Sequence, residues 1–549
     1  MIKVFSIIIL GLVIYSNVLN GEFVVDDYSS IVQNPAIIHN YSLKNIWGNF
    51  NTRFVGGLSF ALNFHFGQLN VFGYHLVNIF IHIINTFLVY IFILLTFQTP
   101  SMREDQLHKY SSRIAFFSAL IFLTHPIQTQ AVSYICQRYT SIAVGFYLAA
   151  LIFYIKARLQ NTSVYYAAAL LMMLLSLFTK PMSWTIPFSI LIYELYFLKG
   201  SKKRLLVTFL ITTLVVAIVL RLAQINVDAN MIQANPSAAS YWNYFFTEIN
   251  VLRTYLRLLV FPFGQSHSYD YPLANGFWQW PTVCSTIFLL GLMATAFYLR
   301  EKQRLLSFSI VWYFHTIAAY VVFVVLYGSI GADVMYDHWL YLPMVGFSIF
   351  LVVILCRLFN DPRKVKQIMI ALIIILSLLS YQRNKVWQTE IGLWEDVVSK
   401  YPNKLVHHYW AAIAYKRQHL WDQALLSYQK ALECYQKQPS RERKAIDSIY
   451  ASQIYPQLVE VYNNRGLFYY EQKQYDLALT DFNKALQLDS RSAIAYLNRG
   501  NVHFQKKDYP AALKDFDKAI EFDPTYHKAY LNRAVTEGFI NETKNTDPR

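Results

Sequence analysis

The C-terminal part of the chain repeats one pattern, first in "YNNRGLFYYEQKQYDLALTDFNKALQLD" (462–489) and again in "YLNRGNVHFQKKDYPAALKDFDKAIEFDP" (496–524). The two stretches align with a shift of 34 residues, so that Gly466 corresponds to Gly500. A period of this length indicates stacked helix pairs, in which small residues let two helices approach and aromatic residues fill the space between repeats. The pattern predicts an α-helical solenoid.

These are tetratricopeptide repeats, and further copies flank the two clearest ones. A looser repeat covers 405–436, and an insertion, "KQPSRERKAIDSIYASQIYP" (437–456), follows it. A last helix holds "AYLNRAVTEGF" (529–539). We predict about three and a half repeats in a domain at 405–549, and solenoids of this kind present an extended surface to a binding partner.

Three asparagines recur at one position of successive repeats, namely Asn464, Asn498 and Asn532. Each side-chain amide offers both donors and an acceptor, so a row of them can hydrogen-bond an extended peptide backbone. We therefore predict that these residues bind a peptide. A simple role in the repeat architecture is the alternative.

The rest of the chain is too apolar for an ordinary soluble enzyme. Of the 549 residues, 55% are hydrophobic and 17% aromatic, and the apolar residues before about residue 383 form blocks of membrane-spanning length. The net charge of +15 lies mostly in short loops between these blocks, which argues against nucleic acid as a partner. The four cysteines are scattered without a CxxC pair, so neither a disulfide framework nor a zinc site is predicted.

We predict about eleven membrane spans. They lie near 4–19, 74–98, 114–133, 139–155, 163–179, 183–198, 205–222, 281–299, 305–327, 339–356 and 367–381. Basic residues cluster in alternate loops, which the positive-inside rule assigns to the cytoplasm. The N-terminus is then inside, and the chain after about Arg383 is outside. The first block has the look of a signal peptide, but it lacks small residues before a plausible cleavage site, so we expect an uncleaved span.

Several ionisable residues fall at the outer ends of the spans, where charges are costly unless they serve a function. They are Asp26, Asp27, His125, Arg138, Lys180, His267, Asp270, Asp333, Asp337 and His338. We predict that this set converges on one site. The adjacent acids Asp26 and Asp27 can bind a divalent cation, act as a general base or cap a helix, and the sequence leaves all three open.

Five motifs follow one another around these outer positions. They are "DDYSSIVQNPAI" (26–37), "THPIQTQAVSYICQRYTSIA" (124–143), "YLRLLVFPFGQSHSYDYP" (255–272), "DVMYDHWLYLPMVGF" (333–347) and "SYQRNKVWQTEIGLWEDVVSKYPN" (380–403). With the repeats, this series resembles the transmembrane and tetratricopeptide-repeat O-mannosyltransferase-like family, which are membrane glycosyltransferases of the GT-C fold. The resemblance covers nearly the whole chain. It implies an inverting transfer of a sugar from a polyprenyl-phosphate carrier to a protein hydroxyl at an outer-facing site.

The resemblance also implies a carboxylate of the first outer loop near the acceptor. Asp26 or Asp27 would then be the base, and the pair can also hold a divalent metal, the one cofactor that the sequence leaves open. For the donor phosphate we predict Arg138, Lys180, His125, His338 and Arg253, and for the substrate Tyr269, Asp270, Tyr271 and Asp337. Asn464, Asn498 and Asn532 would bind the acceptor protein. For each residue an interfacial anchor or a local structural role is the alternative.

The chain departs from the usual family pattern at two places. This chain reads Tyr336-Asp337-His338-Trp339-Leu340 where relatives tend to have a glutamate and an arginine before "YLP", and Pro181 follows Lys180 where many have an acid. These changes leave the identity of the donor open.

By prediction the chain is all-α and divides into a transmembrane GT-C-like domain at 1–382, a connector at 383–404 and the repeat domain at 405–549. We expect an integral membrane glycosyltransferase of a bacterial inner membrane, with periplasmic repeats, or lumenal repeats in a eukaryote. Its partners would be the lipid-linked donor, membrane lipid and an acceptor protein. Two other classes stay open: a non-catalytic scaffold that assembles an envelope complex, and a transferase acting on envelope glycan or lipid.

Overall fold

The computed structural model describes residues 2–222, 241–327, 333–359, 361–437 and 445–546. The chain divides into two compact units, Met1–Lys400 and Tyr401–Arg549. The described residues form helices and connecting segments without β-strands, which confirms the all-α fold class. Part of the predicted insertion (438–444) lies outside the described residues.

We label the α-helices of eight or more residues in chain order. In the first unit they are α1 (Ile2–Tyr15), α2 (Leu43–Phe50), α3 (Phe54–Gly67), α4 (Val71–Phe97), α5 (Ser111–Thr124), α6 (Arg138–Gln160), α7 (Ser163–Leu177), α8 (Ile186–Tyr193), α9 (Lys202–Leu222), α10 (Tyr241–Val260), α11 (Trp280–Leu299), α12 (Arg304–Tyr327), α13 (Pro343–Leu358), α14 (Pro362–Asn384) and α15 (Glu390–Lys400). In the second unit they are α16 (Leu405–Arg417), α17 (Trp421–Lys437), α18 (Ala445–Glu471), α19 (Tyr475–Leu488), α20 (Ala493–Gln505), α21 (Tyr509–Phe522) and α22 (His527–Thr546).

Helix α4 lies at the centre of the first unit, packed against α1, α5 and α6. Its inward face carries buried polar side chains, which need partners because an unpaired polar group is costly away from water. His82 contacts the Tyr341 hydroxyl at 2.7 Å and the Leu123 carbonyl at 3.1 Å, while Asn85 donates to the Ser141 carbonyl at 2.7 Å. These bonds hold α4 to α5, α6 and the segment before α13.

Five helical segments among the described residues are long and apolar enough to cross a membrane. They are Val71–Phe97, Ile135–Gln160, Trp280–Leu299, Arg304–Leu326 and Pro362–Trp387. Shorter apolar helices run over Ile2–Val18, Ser163–Leu177 and Pro343–Leu358. Each of these segments coincides with a predicted span, while the total of about eleven stays a prediction.

The predicted span at 114–133 is not one continuous helix. Helix α5 ends at Thr124, and His125 is extended with φ −73° and ψ 129° because the ring of Pro126 disfavours helical backbone at the preceding residue. Short turns at Pro126–Gln128 and Thr129–Val132 follow. The break places the rest of the second motif in irregular, buried backbone.

In the second unit, two recurring glycines permit close helix contact. A Cβ atom on Gly500 would lie 2.7 Å from Cε1 of Phe516, and one on Gly466 would lie equally close to Phe482. No real side chain fits there, which confirms the packing role that the 34-residue pattern predicts. The described end of the insertion forms the first part of α18, which contains Pro456.

The predicted connector at 383–404 is helical over much of its length, and its residues up to Lys400 belong to the first unit. Trp387 and Trp394 bury their rings there, at 1% and 3% exposure. The last outer motif is therefore part of the membrane unit's core.

Candidate active site

Asp27 is a buried carboxylate that fixes the first outer loop. Its Oδ2 accepts the Val24 N–H at 3.0 Å, and its Oδ1 accepts the Cys136 N–H at 2.6 Å. Val25, inside this loop, has φ 49°, a conformation that β-branched residues rarely adopt and that the surroundings must hold in place. Burial raises the pKa of Asp27 well above its usual range, and the two backbone bonds oppose this by favouring the charged form.

Asp26, the neighbouring acid, is exposed. Its backbone N–H donates to the Tyr134 hydroxyl at 2.9 Å, which holds the residue in position. Among the described residues, no donor or cation pairs with its carboxylate. The two adjacent acids therefore differ in kind: Asp27 holds the loop, and Asp26 presents a carboxylate to solvent.

A cluster of aromatic rings brings three outer motifs together beside this loop. The Tyr134 ring stacks on Trp387, with centroids 5.5 Å apart and planes 16° apart. The His267 ring meets the rings of Tyr134, Trp387 and Trp394 edge-on, at centroid distances of 5.6, 5.6 and 5.5 Å. Edge-to-face and offset-stacked packing of this kind is favourable and rigid. It joins the second, third and fifth motifs.

Gln130 brings the fourth motif to the same place. Its Nε2 donates to the His267 carbonyl at 3.3 Å, and its Oε1 accepts the His338 N–H at 2.8 Å. In the same region, the Tyr269 hydroxyl donates to Asp337 Oδ1 at 2.6 Å, and burial raises the pKa of Asp337 to about 6. All five outer motifs thus converge on one region of the first unit.

Two cations lie near the acids without a carboxylate partner among the described residues. Half-buried Lys180 donates to Thr140 Oγ1 at 2.7 Å, and its ammonium lies 5.7 Å from the Tyr320 ring centroid. The exposed Arg53 guanidinium lies over Tyr139, 5.3 Å from the ring centroid. Burial, together with the charge of Arg53, lowers the pKa of Lys180 to about 7.

Cys136, just before α6, interacts electrostatically with both acids and with both cations. Asp26, Asp27 and Arg53 all lie within electrostatic range of it, and it lies within range of Lys180. Acidic and basic groups therefore border one region at the start of α6, as a site that handles both a proton and a phosphate requires.

Arg138 is the most deeply buried of the predicted phosphate ligands. It is 0% exposed, and it donates to Asn78 Oδ1 at 2.6 Å, to Asn63 Oδ1 at 2.6 Å and to the Tyr74 carbonyl at 2.9 Å. These bonds connect α3, α4 and α6. In this conformation its guanidinium serves the packing of those helices.

His125 is engaged in the same way. One ring nitrogen contacts the Leu259 carbonyl at 3.0 Å and the other accepts the Ile127 N–H at 3.2 Å. The ring is buried, at 1% exposure. Both nitrogens are occupied, which leaves neither directed at a ligand.

Three of the predicted residues make no described contact with Asp26. Arg253 on α10 and Asp270, near the end of the third motif, are both exposed. The Tyr271 hydroxyl contacts Thr254 Oγ1 of α10 at 2.8 Å. These residues border α10, and their predicted roles stay predictions.

The asparagines of the repeats do not share one environment. Asn498 is 6% exposed, its Nδ2 has no acceptor among the described residues, and Asn532 donates to Asn501 Oδ1 at 2.7 Å. Asn464 is half-buried. The adjacent Arg499 forms a two-point pair with Asp515, with N to O distances of 2.8 and 2.6 Å. The arginines that follow the asparagines therefore connect paired helices.

Sequence reasoning missed three residues of the site: Arg53, Gln130 and Tyr134. Gln130 and Tyr134 lie inside a motif already singled out, but neutral side chains gave no charge signal. Arg53 is a basic residue in the stretch predicted to lie outside, and that exception to the positive-inside pattern was the available clue. Among the described residues, no group of three or more His, Cys, Asp or Glu side chains is gathered as for a metal ion.

Comparison with known proteins adds to this geometry. Family models described as TPR repeat and Tetratricopeptide repeat match residues 466–507 and 493–526. Protein O-mannosyl-transferase F38B6.6 of Caenorhabditis elegans is 27% identical over 432 residues, which is 73% of this chain and 58% of that protein. Protein O-mannosyl-transferase TMTC2 of Mus musculus is 32% identical over 160 residues, 27% of this chain and 18% of its own length.

Protein O-mannosyl-transferase TMTC1 of Homo sapiens is 32% identical over 156 residues, 26% of this chain and 16% of that protein. The chain thus spans between about a sixth and 58% of the length of these relatives. A solved structure, the APC/C hetero-tetramer Cut9-Hcn1, aligns at 14% identity over 79% of this chain and 85% of its own, with a TM-score of 0.20. These relatives confirm the resemblance that the outer motifs and repeats indicate: this chain is similar to the protein O-mannosyl-transferases.

Proposed function

We propose that this protein is a membrane glycosyltransferase that moves a sugar from a polyprenyl-phosphate carrier to a hydroxyl of an acceptor protein, on the periplasmic or lumenal side. The observation that carries the proposal is the difference between the two adjacent acids. Asp26 has an exposed carboxylate without a partner among the described residues, on a loop that Asp27 anchors through two backbone N–H groups.

Asp26 is the general base of the proposed reaction, and Asp27 is a positioning residue. A base must reach the acceptor hydroxyl, and an exposed carboxylate can do so while a buried one with both oxygens bonded cannot. The acceptor oxygen attacks the anomeric carbon of the sugar and forms the new glycosidic bond. Asp26 takes the hydroxyl proton, the bond from that carbon to the phosphate oxygen breaks, and the polyprenyl phosphate leaves with the electron pair. One direct displacement of this kind inverts the anomeric centre.

Arg53 and Lys180 receive the leaving phosphate. Negative charge grows on the phosphate as the sugar departs, and a fixed cation nearby stabilises that charge more in the transition state than in the ground state. Both side chains are cations without a carboxylate partner among the described residues, and Cys136 lies within electrostatic range of both and of Asp26. The proposed roles are thus separate: a carboxylate for the proton and two cations for the phosphate.

The repeats recruit the acceptor protein in this proposal. Tetratricopeptide solenoids present extended surfaces to partners. The side-chain amide of the half-buried Asn464 hydrogen-bonds an extended segment of the acceptor. The proposed step needs no metal ion, since Asp26 takes the proton and the two cations stabilise the leaving phosphate.

The test is transfer of labelled sugar from a polyprenyl-phosphate donor to endogenous membrane protein at matched expression. We expect Asp26→Asn to lower transfer by at least about 100-fold, as loss of a general base does. The control Glu104→Gln removes an exposed acid from the opposite end of the spans and should retain activity. Equal transfer by wild type and Asp26→Asn would refute the assignment.

The same assay separates the other classes. Labelling of glycan or lipid without labelled protein would indicate an envelope glycan transferase. Absence of any transfer by the wild type, together with loss of an envelope complex on deletion of the repeats, would indicate a scaffold.

A further inference from the structure

A pocket of about 310 Å³ lies at the end of the first unit opposite to Asp26. The start of α1 lies on the same side, since Lys3 Nζ donates at 2.5 Å to Oγ of Ser112, the residue before the lining residue Arg113. The loop of Asp26 follows the other end of α1. A helix rises 1.5 Å per residue, so the two places are roughly 25 Å apart along α1 and the short turn after it. The pocket also lies near the ends of the spans Val71–Phe97 and Pro362–Trp387, at the membrane edge.

Four basic side chains line this pocket: Lys109, Arg113, Arg357 and Lys366. Asp105, beside it, lies 3.8 Å from Arg357. Its Oδ1 also accepts the Leu107 N–H at 2.8 Å. Asp105 offsets part of the positive charge, and the residues that line the pocket include no acid, so basic side chains outnumber acidic ones there.

The second observation is an unpaired hydrogen-bond donor on Arg357, one of the residues that line the pocket. Arg357 Nε is shielded from solvent and has no hydrogen-bond partner among the described residues. An unpaired, desolvated guanidinium N–H is costly, so a ligand with an oxygen acceptor would remove that cost on binding. Phosphate oxygens suit arginine best, because the guanidinium fork binds them at two points.

Apolar side chains also line the pocket. They include Ile114, Phe117, Val352 and Val365. A soluble phosphate ester gains little from an apolar surface, whereas a lipid packs its glycerol and first acyl carbons against one. Basic pockets between spanning helices are known to bind anionic lipid headgroups.

We propose that this pocket binds the phosphate headgroup of an anionic membrane lipid, at the membrane face opposite to the transfer site. Loops rich in lysine and arginine surround it, and the positive-inside rule predicts this face to be cytoplasmic. The proposal does not depend on the transfer activity, because it rests on residues at the other end of α1.

The test is displacement of a fluorescent phosphatidylglycerol from the full chain in detergent. Unlabelled phosphatidylglycerol, phosphatidylcholine and inorganic phosphate serve as competitors. The variant Arg113→Gln/Lys366→Gln removes two pocket cations, and we expect it to weaken phosphatidylglycerol binding roughly 10- to 30-fold. The control Lys202→Gln/Arg363→Gln removes two exposed cations that do not line the pocket, and it should bind like the wild type.

Lys366→Gln alone covers the case in which the double variant fails to fold. Lys366 is exposed in the first turn of α14, and its loss should weaken binding roughly fivefold. Equal binding by the pocket and control variants would overturn the proposal, as would competition by phosphatidylcholine as strong as that by phosphatidylglycerol. Full displacement by inorganic phosphate at the same concentration would assign the pocket to a soluble phosphate and also overturn it.

Discussion

Asp27 and Cys136 are 109 residues apart, and the Asp27 carboxylate accepts the Cys136 N–H at 2.6 Å. This bond ties the first outer loop to the segment that starts α6. Asp27 therefore has a structural role, whereas the adjacent Asp26 is exposed. The relation also sets the geometry on which the proposed chemistry depends, because the cations Arg53 and Lys180 lie in the electrostatic surroundings of the same Cys136.

We expect Asp27→Asn to lower stability as well as transfer. An asparagine amide has one oxygen acceptor, so one of the N–H groups of Val24 and Cys136 would face an NH2 group. An unsatisfied buried donor costs roughly 1–3 kcal/mol. The measurement is the denaturant midpoint of the full chain in detergent, alongside the transfer assay.

Asp26→Asn provides the contrast, because its carboxylate is exposed and makes no described bond. Its stability should stay within roughly 0.5 kcal/mol of the wild type while its transfer is lost. A large fall in the stability of Asp26→Asn, with Asp27→Asn unaffected, would reverse the two roles.

The pH dependence of donor binding should reflect the protonation of Lys180. Burial and Arg53 place the pKa of Lys180 at about 7, so its charge is present below pH 7 and lost above it. The KM for the lipid-linked donor should therefore rise as pH increases from about 6.5 to 8, by up to roughly tenfold. Lys180→Arg should flatten this rise because a guanidinium stays charged throughout.

Lys180→Gln is the matched neutral variant, and it should show a high KM at every pH. If the wild-type KM does not change with pH, or if Lys180→Arg keeps the same rise, Lys180 does not contact the donor phosphate.

The free energy of unfolding of the membrane unit should depend on pH through the titration of Asp337. Burial raises its pKa to about 6 in the folded chain, against about 3.9 in an unfolded one. Between pH 4 and 6 the folded state holds a proton that the unfolded state has released. Raising the pH through this window therefore lowers stability, and above about pH 6 the loss is complete and constant.

Asp337→Asn stays neutral and can still accept the Tyr269 hydroxyl. Its stability relative to the wild type should therefore rise by about 2–3 kcal/mol between pH 4 and pH 7. Denaturant unfolding of both chains across this range measures the difference. A relative stability that does not vary with pH would contradict the assignment.

The repeats offer a matched pair of arginines for a stability test. Arg499 pairs with Asp515, whose side chain is 5% exposed, whereas Arg533 pairs with Asp517, whose side chain is 57% exposed. Arg499→Ala leaves a carboxylate buried without its cation, and we expect a loss of roughly 1–3 kcal/mol. Arg533→Ala should cost at most about 0.5 kcal/mol, since exposed pairs contribute little.

Hydrogen exchange of α20 and α21 in the full chain measures the local opening free energy in both variants. Equal effects would mean that burial of the aspartate does not control the strength of these pairs.

The all-α class, the apolar spans that the described helices match and the repeat domain could all be predicted from the sequence. These features depend on local periodicity: Gly466 and Gly500 recur at one spacing because each faces a phenylalanine ring, and apolar blocks need no partner to be recognised. The family resemblance was also available from motif order, and the relatives confirm it.

The end of α5 could be predicted in part from Pro126. The length of the apolar block, however, favoured one continuous span. The unit boundary after Lys400 was harder to predict from the sequence. The amphipathic helix α15 has no continuous apolar run, and it packs into the membrane unit through Trp394.

The sequence by itself determined which residue types this protein brings to its outer face: two adjacent acids, scattered cations and histidines, and a solenoid with a fixed period. Only the tertiary structure decided how those residues are used. Whether a carboxylate is free or bonded depends on contacts between residues distant in the chain, as between Asp27 and Cys136 or Arg138 and Asn78. Burial and hydrogen bonding give Asp27, Arg138 and His125 structural roles in this conformation, whereas Asp26 and Arg53 have exposed side chains without a charged partner among the described residues.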